Sequence, residues 1–343
     1  MATAHAVDVL IVSLGSTGGL RAADLELAQS LRRAGASTRI VQAAPPRRMR
    51  TLVLTDLGWA LAARRAAREE LDRRTPRAVI YSSTTAALLW PRGGAIRFDA
   101  PSAGNRPARH GLWQRPLERR RLRQAPLLLP WSESALTEAP PAARRGERAL
   151  VLPVPVEPSG PVESVRDIAA ITYAANPSKK GLDRVLEAWR GLRSGRSGEG
   201  SDELLIAGVT AEELQGTGLL AAGEERVRVL GVLSTEEYRG LLRRARVFVC
   251  APRREDYGIA QLEALADGCL LVTTPAPGPY AALPIARELD PRLVNEDLVT
   301  ALRTALDEPA PGYAARALQA LAPFSRAAVD RVVAEQLLPR LLA

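Results

Sequence analysis

Two glutamates eight positions apart lie in the segment of the chain best suited to chemistry, residues 247–274. An apolar run ends there in a polar loop that holds Glu255, and the helical pattern that follows holds Glu263. The backbone N–H groups at the start of such a helix bind phosphate well, and Gly258 lets the backbone approach a ligand closely. Carboxylates accept strong hydrogen bonds from hydroxyl groups. The segment therefore predicts a site for a ligand that carries both phosphate and sugar.

The spacing of the two glutamates also bears on a rival chemistry, glycoside hydrolysis. Hydrolases place their two carboxyl groups about 5 Å apart when they retain the anomeric configuration, and about 6.5–9.5 Å apart when they invert it. Eight residues of helix span about 12 Å, although the loop part of this spacing leaves the real distance open. Two glutamates that hold different parts of one long donor molecule fit the spacing better.

The elements that must position these residues follow an alternating pattern along the chain. Short apolar runs such as 7–14 and 37–42 alternate with helical patterns such as 57–74, which indicates parallel sheets built from β-α-β units. A segment rich in proline and arginine, 137–163, interrupts the alternation before it begins again. The sequence therefore predicts an N-terminal domain over 1–155, a second domain over 156–322 and a terminal helix over 323–343.

Length and composition agree with two soluble domains. The chain has 343 residues, 46% of them hydrophobic, and no run of about 18 apolar residues that would cross a membrane. The N-terminal apolar run lacks the basic flank of a signal peptide. The two cysteines, Cys250 and Cys269, lie in apolar runs, as buried free thiols of a cytosolic protein do. We therefore expect a cytoplasmic protein.

Positive charge is concentrated in the first half of the chain. Residues 1–150 hold 25 basic and 12 acidic side chains, whereas residues 151–343 hold 22 and 26. This asymmetry indicates an anionic partner, either a phosphorylated or lipid-linked acceptor or the inner face of a membrane. Two basic helical patterns, 57–74 and 113–123, are candidates for peripheral membrane docking, and an ordinary solvated helix face explains them equally well. No nucleic acid partner is expected.

The segment 247–274 resembles the E-x7-E signature of the retaining GT-B glycosyltransferases, in particular their large fourth family. That signature is a strand followed by Glu-x-Phe/Tyr-Gly and then Glu-Ala-x-Ala-x-Gly, and this chain has EDYG at 255–258 and EALADG at 263–268. The resemblance implies an α/β GT-B fold, two Rossmann-like doubly wound parallel-sheet domains facing across a cleft, with the terminal helix packed back on the first. It also implies that Glu255 holds the transferred sugar and Glu263 the ribose of the nucleotide.

The resemblance extends upstream to residues 176–183, NPSKKGLD, where the family's lysine binds the donor diphosphate; that lysine corresponds to Lys180. The arginine that usually precedes this lysine is missing here, so Arg253 or Arg254 is the candidate replacement. Gly231 lies in a stretch similar to the one that packs on the nucleotide base. By this resemblance the donor-binding residues are Gly18, Gly19, Asn176, Gly231, Arg253, Arg254, Asp256, Tyr257, Gly258, Ile259 and Glu263.

The first half of the chain carries further candidates. Residues 15–19 resemble the glycine-rich loop that faces the donor, although a plain turn has the same composition. A histidine that commonly ends a later strand in the family is replaced by Asp99, which either orients a sugar hydroxyl or helps to deprotonate the acceptor; an aspartate that caps a turn is the alternative. His110 is a candidate substitute for that histidine, and a loop histidine without function is the alternative. Asp24 is expected on the surface of a helix.

The function implied by the resemblance is transfer of a sugar from a nucleoside diphosphate sugar to an unidentified acceptor, with retention of anomeric configuration. The candidate catalytic residues are Lys180, Glu255, Asp99 and His110. No Asp-x-Asp pair occurs in the chain, so we expect neither a metal ion nor a cofactor. The alternatives are a nucleotide-sugar epimerase and a non-catalytic homologue that binds nucleotide or serves as a partner subunit.

Overall fold

The chain folds into two compact units, Met1–Pro155 with Phe324–Ala343, and Val156–Pro323. Each unit contains one sheet of five parallel strands with helices packed on it. The expectation of two Rossmann-like, doubly wound parallel-sheet domains is therefore confirmed. The computed structural model describes residues 7–46, 51–106, 111–144, 146–161, 163, 165–194, 202–220 and 224–343.

The sheet of the first unit has the strand order β2-β1-β3-β4-β5. Its strands are β1 (Val9–Ser13), β2 (Thr38–Gln42), β3 (Ala78–Tyr81), β4 (Ala95–Phe98) and β5 (Leu128–Pro130). Its helices up to residue 155 are α1 (Gly18–Arg33), α2 (Leu52–Arg73), α3 (Thr84–Ala87), α4 (Ser102–Asn105), α5 (Gln114–Gln124) and α6 (Glu133–Glu138).

The sheet of the second unit has the order β10-β9-β6-β7-β8. Its strands are β6 (Ile168–Tyr173), β7 (Leu204–Ala207), β8 (Val227–Gly231), β9 (Ala245–Cys250) and β10 (Leu270–Thr273). Its helices are α7 (Pro177–Lys180), α8 (Leu182–Ser194), α9 (Ala211–Thr217), α10 (Thr235–Arg244), α11 (Ile259–Ala266), α12 (Ala282–Leu289), α13 (Leu298–Asp307) and α14 (Tyr313–Ala320).

Alternating side chains of the first sheet enter two separate cores, one on each face. Leu10 and Val12 of β1 belong to one core, whereas Val9 and Ile11 belong to the other. This is the two-residue period expected of a strand that is buried on both sides. The chain ends in α15 (Arg326–Val332), a π-helical turn (Val333–Leu337) and α16 (Leu338–Leu342). This segment joins the second of those cores through Val329, Val333 and Leu337.

In each sheet the order of neighbouring strands reverses at one place, which is called the switch point. Ligands of such parallel sheets bind at the switch point. The first sheet reverses between β1 and β3, and the second between β6 and β9. At such a switch point the loops that follow the two neighbouring strands leave toward opposite faces of the sheet. A crevice therefore opens at the carboxyl ends of the strands.

Two expectations about the first unit are corrected by the structure. Asp24 does not lie on a helix surface: it is 2% exposed, because it points from α1 to the buried Arg97 on β4. Helix α2 begins at Leu52 and not at residue 57, since the Thr51 hydroxyl accepts a hydrogen bond from the backbone N–H of Leu54 at 3.3 Å and caps an earlier start.

Two further observations concern the cysteines and the polarity of the helices. Cys250 and Cys269 are both buried and carry free thiols. Within the described ranges, no helix is long and apolar enough to cross a membrane.

Candidate functional site

The loops that follow β6 and β9 meet at the switch point of the second sheet. After β6, the Asn176 side chain caps α7 by accepting a hydrogen bond from the backbone N–H of Lys179 at 3.0 Å. Gly181 then ends α7 with φ 64°, where a Cβ would lie 1.8 Å from the carbonyl oxygen of Ala251. The backbone N–H of Arg253 donates to the Lys179 carbonyl at 3.1 Å. Only glycine allows this close approach of the two loops.

This approach pairs two lysines from the first loop with two carboxylates from the second. Lys180 Nζ lies 2.6 Å from Glu255 Oε2, and Lys179 Nζ lies 2.7 Å from Asp256 Oδ2. The side chains of Lys180 and Glu255 are 22% and 6% exposed, so this pair stands at the edge of the protein interior. The structure thus brings together two predicted site residues that are 75 positions apart in sequence.

A glutamine that the sequence analysis did not single out also binds Glu255. The side-chain amide nitrogen of Gln261 donates to Glu255 Oε2 at 3.1 Å and lies 3.6 Å from the sulfur of Cys250. Gln261 is 1% exposed on the inner face of α11. A glutamine among the apolar residues of a short buried helix was the one signal that could have identified it.

The loop after β9 leads into α11 with its backbone donors directed to the switch point. Gly258 precedes the helix with φ 90°, and a Cβ there would lie 2.8 Å from the ring of Tyr280. Gly258, the N-cap residue of α11, has no side chain to bind the first-turn N–H groups, which begin at Ile259 and are donors of the kind that bind an anion. Tyr257 is buried, and its carbonyl accepts a hydrogen bond from the Ala281 N–H at 2.9 Å.

The loop that follows β10 supports Glu255 from the other side. The backbone N–H of Glu255 donates to the Pro277 carbonyl at 3.1 Å. Gly278 has φ 112°, and a Cβ there would lie 2.3 Å from the carbonyl oxygen of Glu255. The backbone that carries Glu255 is therefore held against two neighbouring loops.

Glu263 lies beside the guanidinium of Arg239, and its side chain is more exposed than that of Glu255, at 21% against 6%. Burial raises the pKa of the Glu263 carboxyl, and the guanidinium of Arg239, 3.6 Å away, opposes that rise. Arg239 itself is held by Asp267 at 2.5 Å.

The Tyr238 and Tyr173 rings are 5.3 Å apart, and burial followed by the charge of Glu263 raises the pKa of both phenols. Sequence reasoning had identified neither tyrosine nor Arg239.

The remaining donor-site candidates of the second unit are placed on its loops. Arg253 pairs with Asp183 at 2.5 Å, and both side chains are largely exposed. Arg254 pairs with Asp256 at 3.1 Å. Both arginines lie in the loop that holds Glu255, and their role at the donor stays a prediction. Gly231 ends β8 with φ 77°, and its carbonyl accepts a hydrogen bond from the Gly208 N–H at 2.8 Å.

The candidates of the first half lie in the first unit. Gly18 and Gly19 form the first turn of α1 and not a loop before it, because the Thr17 hydroxyl caps the helix at that point.

Asp99 follows β4, and its Oδ1 accepts a hydrogen bond from the Ala100 N–H at 2.8 Å, as a residue that caps a turn does. His110 lies outside the described residues. Over the ranges that are described, no group of three or more His, Cys, Asp or Glu could hold a metal ion.

One family model matches part of the second unit. Residues 167–308 match the family described as Glycosyl transferases group 1. The matched region contains Lys180, Glu255 and Glu263. A comparison with curated proteins finds no match.

Solved structures share the fold of the whole chain at low sequence identity. HepE from Anabaena, in complex with UDP and glucose, is 14% identical with a TM-score of 0.66, and the match covers 97% of this chain and 99% of that chain. Sucrose-phosphate synthase from Thermosynechococcus elongatus is 15% identical with a TM-score of 0.70 and coverage of 95% and 96%. The E. coli trehalose-6-phosphate structure bound with UDP-2-fluoro glucose is 13% identical with a TM-score of 0.69 and coverage of 96% and 99%. The chain therefore has the GT-B fold.

Proposed function

We propose that the protein is a retaining glycosyltransferase that moves a hexosyl group from a nucleoside diphosphate sugar to an acceptor without a metal ion or cofactor. The observation that carries the proposal is the Lys180–Glu255 pair, with 2.6 Å between its charged atoms, at the switch point of the second sheet. A cation, a carboxylate and the uncapped start of α11 meet there. These groups complement a diphosphate and a sugar hydroxyl, and the family match covers all of them.

The charge that develops during transfer resides on the leaving diphosphate. Lys180 and the first-turn N–H groups of α11 are the positive groups that stabilise it, with Arg253 or Arg254 as a further contact. Preorganised donors of this kind each contribute about 10²–10³ in rate. They neutralise the leaving group without a metal ion, which agrees with the absence of an Asp-x-Asp pair from the sequence.

The reaction breaks the bond between the anomeric carbon and the diphosphate oxygen, and forms a bond from that carbon to an acceptor oxygen on the same face. The acceptor proton passes to the departing diphosphate oxygen, so no separate base is required. Glu255 accepts hydrogen bonds from the transferred sugar, and Glu263 from the ribose of the nucleotide. Asp99, with His110, is the proposed group on the acceptor side.

Nucleotide binding is the first test of this proposal. Thermal unfolding is measured with UDP, GDP, ADP and dTDP on the wild type, on Glu263→Ala and on the control Glu288→Ala, which removes an exposed glutamate of α12. We expect one nucleotide to stabilise the wild type and the control by about 2.7 kcal/mol at one hundred times its dissociation constant. The effect should be lost in Glu263→Ala.

Two other outcomes would contradict the proposal. If none of the four nucleotides shifts the unfolding transition of the wild type, a non-catalytic homologue becomes the better description. If the nucleotide sugar is consumed equally fast with and without any acceptor and yields an isomer of itself, the protein is an epimerase.

We further propose that the acceptor is anionic or lipid-linked, and that the cytoplasmic protein meets it through the first unit. Helix α2 exposes Leu54 and Leu61, 46% and 52% accessible, and carries four arginines together with four acidic side chains. Apolar side chains flanked by arginine suit an anionic lipid surface. We expect the protein to float with anionic vesicles at low salt and to be released at high salt, whereas neutral vesicles should not bind it. Absence from the anionic vesicle fraction at low salt would refute the lipid contact.

A further inference from the structure

We infer that Gln261 is a positioning residue for Glu255: it holds the carboxylate in place while Lys180 turns to the diphosphate of the donor. The inference rests on the proposed function, in which Lys180 and Glu255 bind different parts of one donor molecule. It concerns a buried side chain at one of the seven positions between the two glutamates of the signature.

The geometry around the Glu255 carboxylate leads to this role. Lys180 Nζ at 2.6 Å and Gln261 Nε2 at 3.1 Å both donate to the same oxygen, Oε2. Among the residues that the structure describes, no other side chain donates to this carboxylate. The second oxygen, Oε1, is therefore the one left to accept a hydrogen bond from a sugar hydroxyl.

Donor binding changes the balance between these two contacts. A diphosphate competes with Glu255 for the ammonium group of Lys180, which lies on a partly exposed loop. A carboxylate as buried as Glu255 is destabilised when it loses its donors, and it then rotates toward whatever donor it can reach. Gln261 prevents this, because its amide still binds Oε2 when Lys180 has moved.

The amide of Gln261 is well placed to remain fixed. It is 1% exposed, and its Nε2 lies 3.6 Å from the Cys250 sulfur, whereas its Oε1 accepts no hydrogen bond from any residue that the structure describes. A carboxylate only accepts hydrogen bonds, so the amide nitrogen and not the oxygen must face Glu255. Lys180, in contrast, has a long flexible side chain that can change partners.

The composition of α11 supports a specific role for this residue. Its buried residues are Gln261, Leu262, Ala264, Leu265 and Ala266. Gln261 is the one polar side chain in this set. A buried amide costs stability unless its hydrogen bonds are made, and an apolar residue would satisfy the packing alone. The contact with Glu255 explains why a glutamine occupies the position.

A set of crystal structures without ligand tests the inference independently of activity. Lys180→Met removes the first donor, and Lys180→Met with Gln261→Met removes both. Lys180→Met with Cys250→Ala removes the first donor and the sulfur next to the amide, but keeps Gln261. We expect the Glu255 carboxylate to keep its position in the first and third variants and to move or become disordered in the second. An unmoved carboxylate in the second variant would overturn the inference, as would a displaced one in Lys180→Met alone.

Kinetics of single substitutions provide a readout that a loss of packing would not produce. We expect Gln261→Met to lower kcat by roughly ten- to one-hundred-fold, which corresponds to one lost hydrogen bond to a charged group. The affinity for the nucleoside diphosphate without sugar should stay within about twofold, since Glu255 faces the sugar. Cys250→Ala, which removes buried volume next to the amide and leaves the hydrogen bond to Glu255 in place, should leave both quantities near those of the wild type.

The two proposals fail in different ways. A wild type that turns over no nucleotide sugar refutes the proposed function, and the crystal structures then still decide whether Gln261 holds Glu255. An active wild type with an equally active Gln261→Met variant refutes the role of Gln261 alone.

Discussion

The switch points of the two sheets hold different kinds of ion pair, one buried and one partly exposed, although both lie at the carboxyl ends of parallel strands. In the first unit, Asp24 accepts hydrogen bonds from the hydroxyls of Ser13 and Ser82, and its Oδ1 lies 3.4 Å from Arg97 NH1. The Asp24 and Arg97 side chains are 2% and 1% exposed, and the Arg97 guanidinium also lies 4.8 Å from the ring centre of Trp131. Side chains of the protein fill this switch point.

In the second unit, the corresponding place holds an ion pair that solvent can reach. Lys180 is 22% exposed, and the short helix that carries it follows directly after β6. A fully buried ion pair cannot exchange its partner without leaving an uncompensated charge, whereas a partly exposed cation can move to an incoming anion at a lower cost. The Asp24–Arg97 pair therefore stabilises its own unit, whereas the Lys180–Glu255 pair is suited to bind a ligand.

Loss of the buried arginine should give the largest effect. We expect Arg97→Met to lower the free energy of unfolding by about 3–5 kcal/mol, because it leaves the Asp24 carboxylate buried without its counter-charge. Chemical denaturation measures this loss. The exposed Arg68→Met, in the same unit, serves as a control and should stay within about 0.5 kcal/mol of the wild type.

The pH dependence of this variant provides the check. Burial already raises the pKa of Asp24 in the folded protein above its usual value, and Arg97 opposes that rise. Without Arg97 the pKa rises further, so the folded state binds its proton more tightly than the unfolded state does. The stability of Arg97→Met relative to the wild type should therefore fall as the pH rises from about 4 to about 7. A loss that is equal at both pH values would show that the charge of Asp24 is not its cause.

Substitution of the partly exposed lysine should affect turnover more than stability. We expect Lys180→Ala to lower the rate of sugar transfer by about 10²–10³, since one donor to the leaving diphosphate is lost. Its free energy of unfolding should fall by about 1–3 kcal/mol, less than that of Arg97→Met, because Gln261 still binds Glu255. Steady-state kinetics and denaturation measure the two effects.

The neighbouring lysine offers a matched control for this variant. Lys179 is 43% exposed and pairs with Asp256. Lys179→Ala should lower turnover by less than about tenfold, as expected for a more solvated ion pair. Equal losses in the two variants would mean that both lysines serve the site through general positive charge, and the contrast between the two switch points would lose its basis.

Much of the fold could be predicted from local patterns, whereas the partners within the site could not. The alternation of apolar runs and helical patterns predicted two parallel-sheet domains, and the structure has them. The signature around Glu255 and Glu263 indicated the loop and helix that form the candidate site, and the roles of these residues stay predictions. Asp24 was wrongly expected on a surface, because its burial depends on Arg97, which lies 73 positions away.

The sequence by itself determined the alternation of strands and helices and which loop precedes α11. These properties follow from periodicity and backbone sterics over a few residues. Only the tertiary structure decided that Lys180 meets Glu255, that Gln261 supports this carboxylate, and that Asp24 and Arg97 fill the other switch point. The reason is that the order of strands in a sheet brings distant loops together, and local sequence patterns do not contain that order.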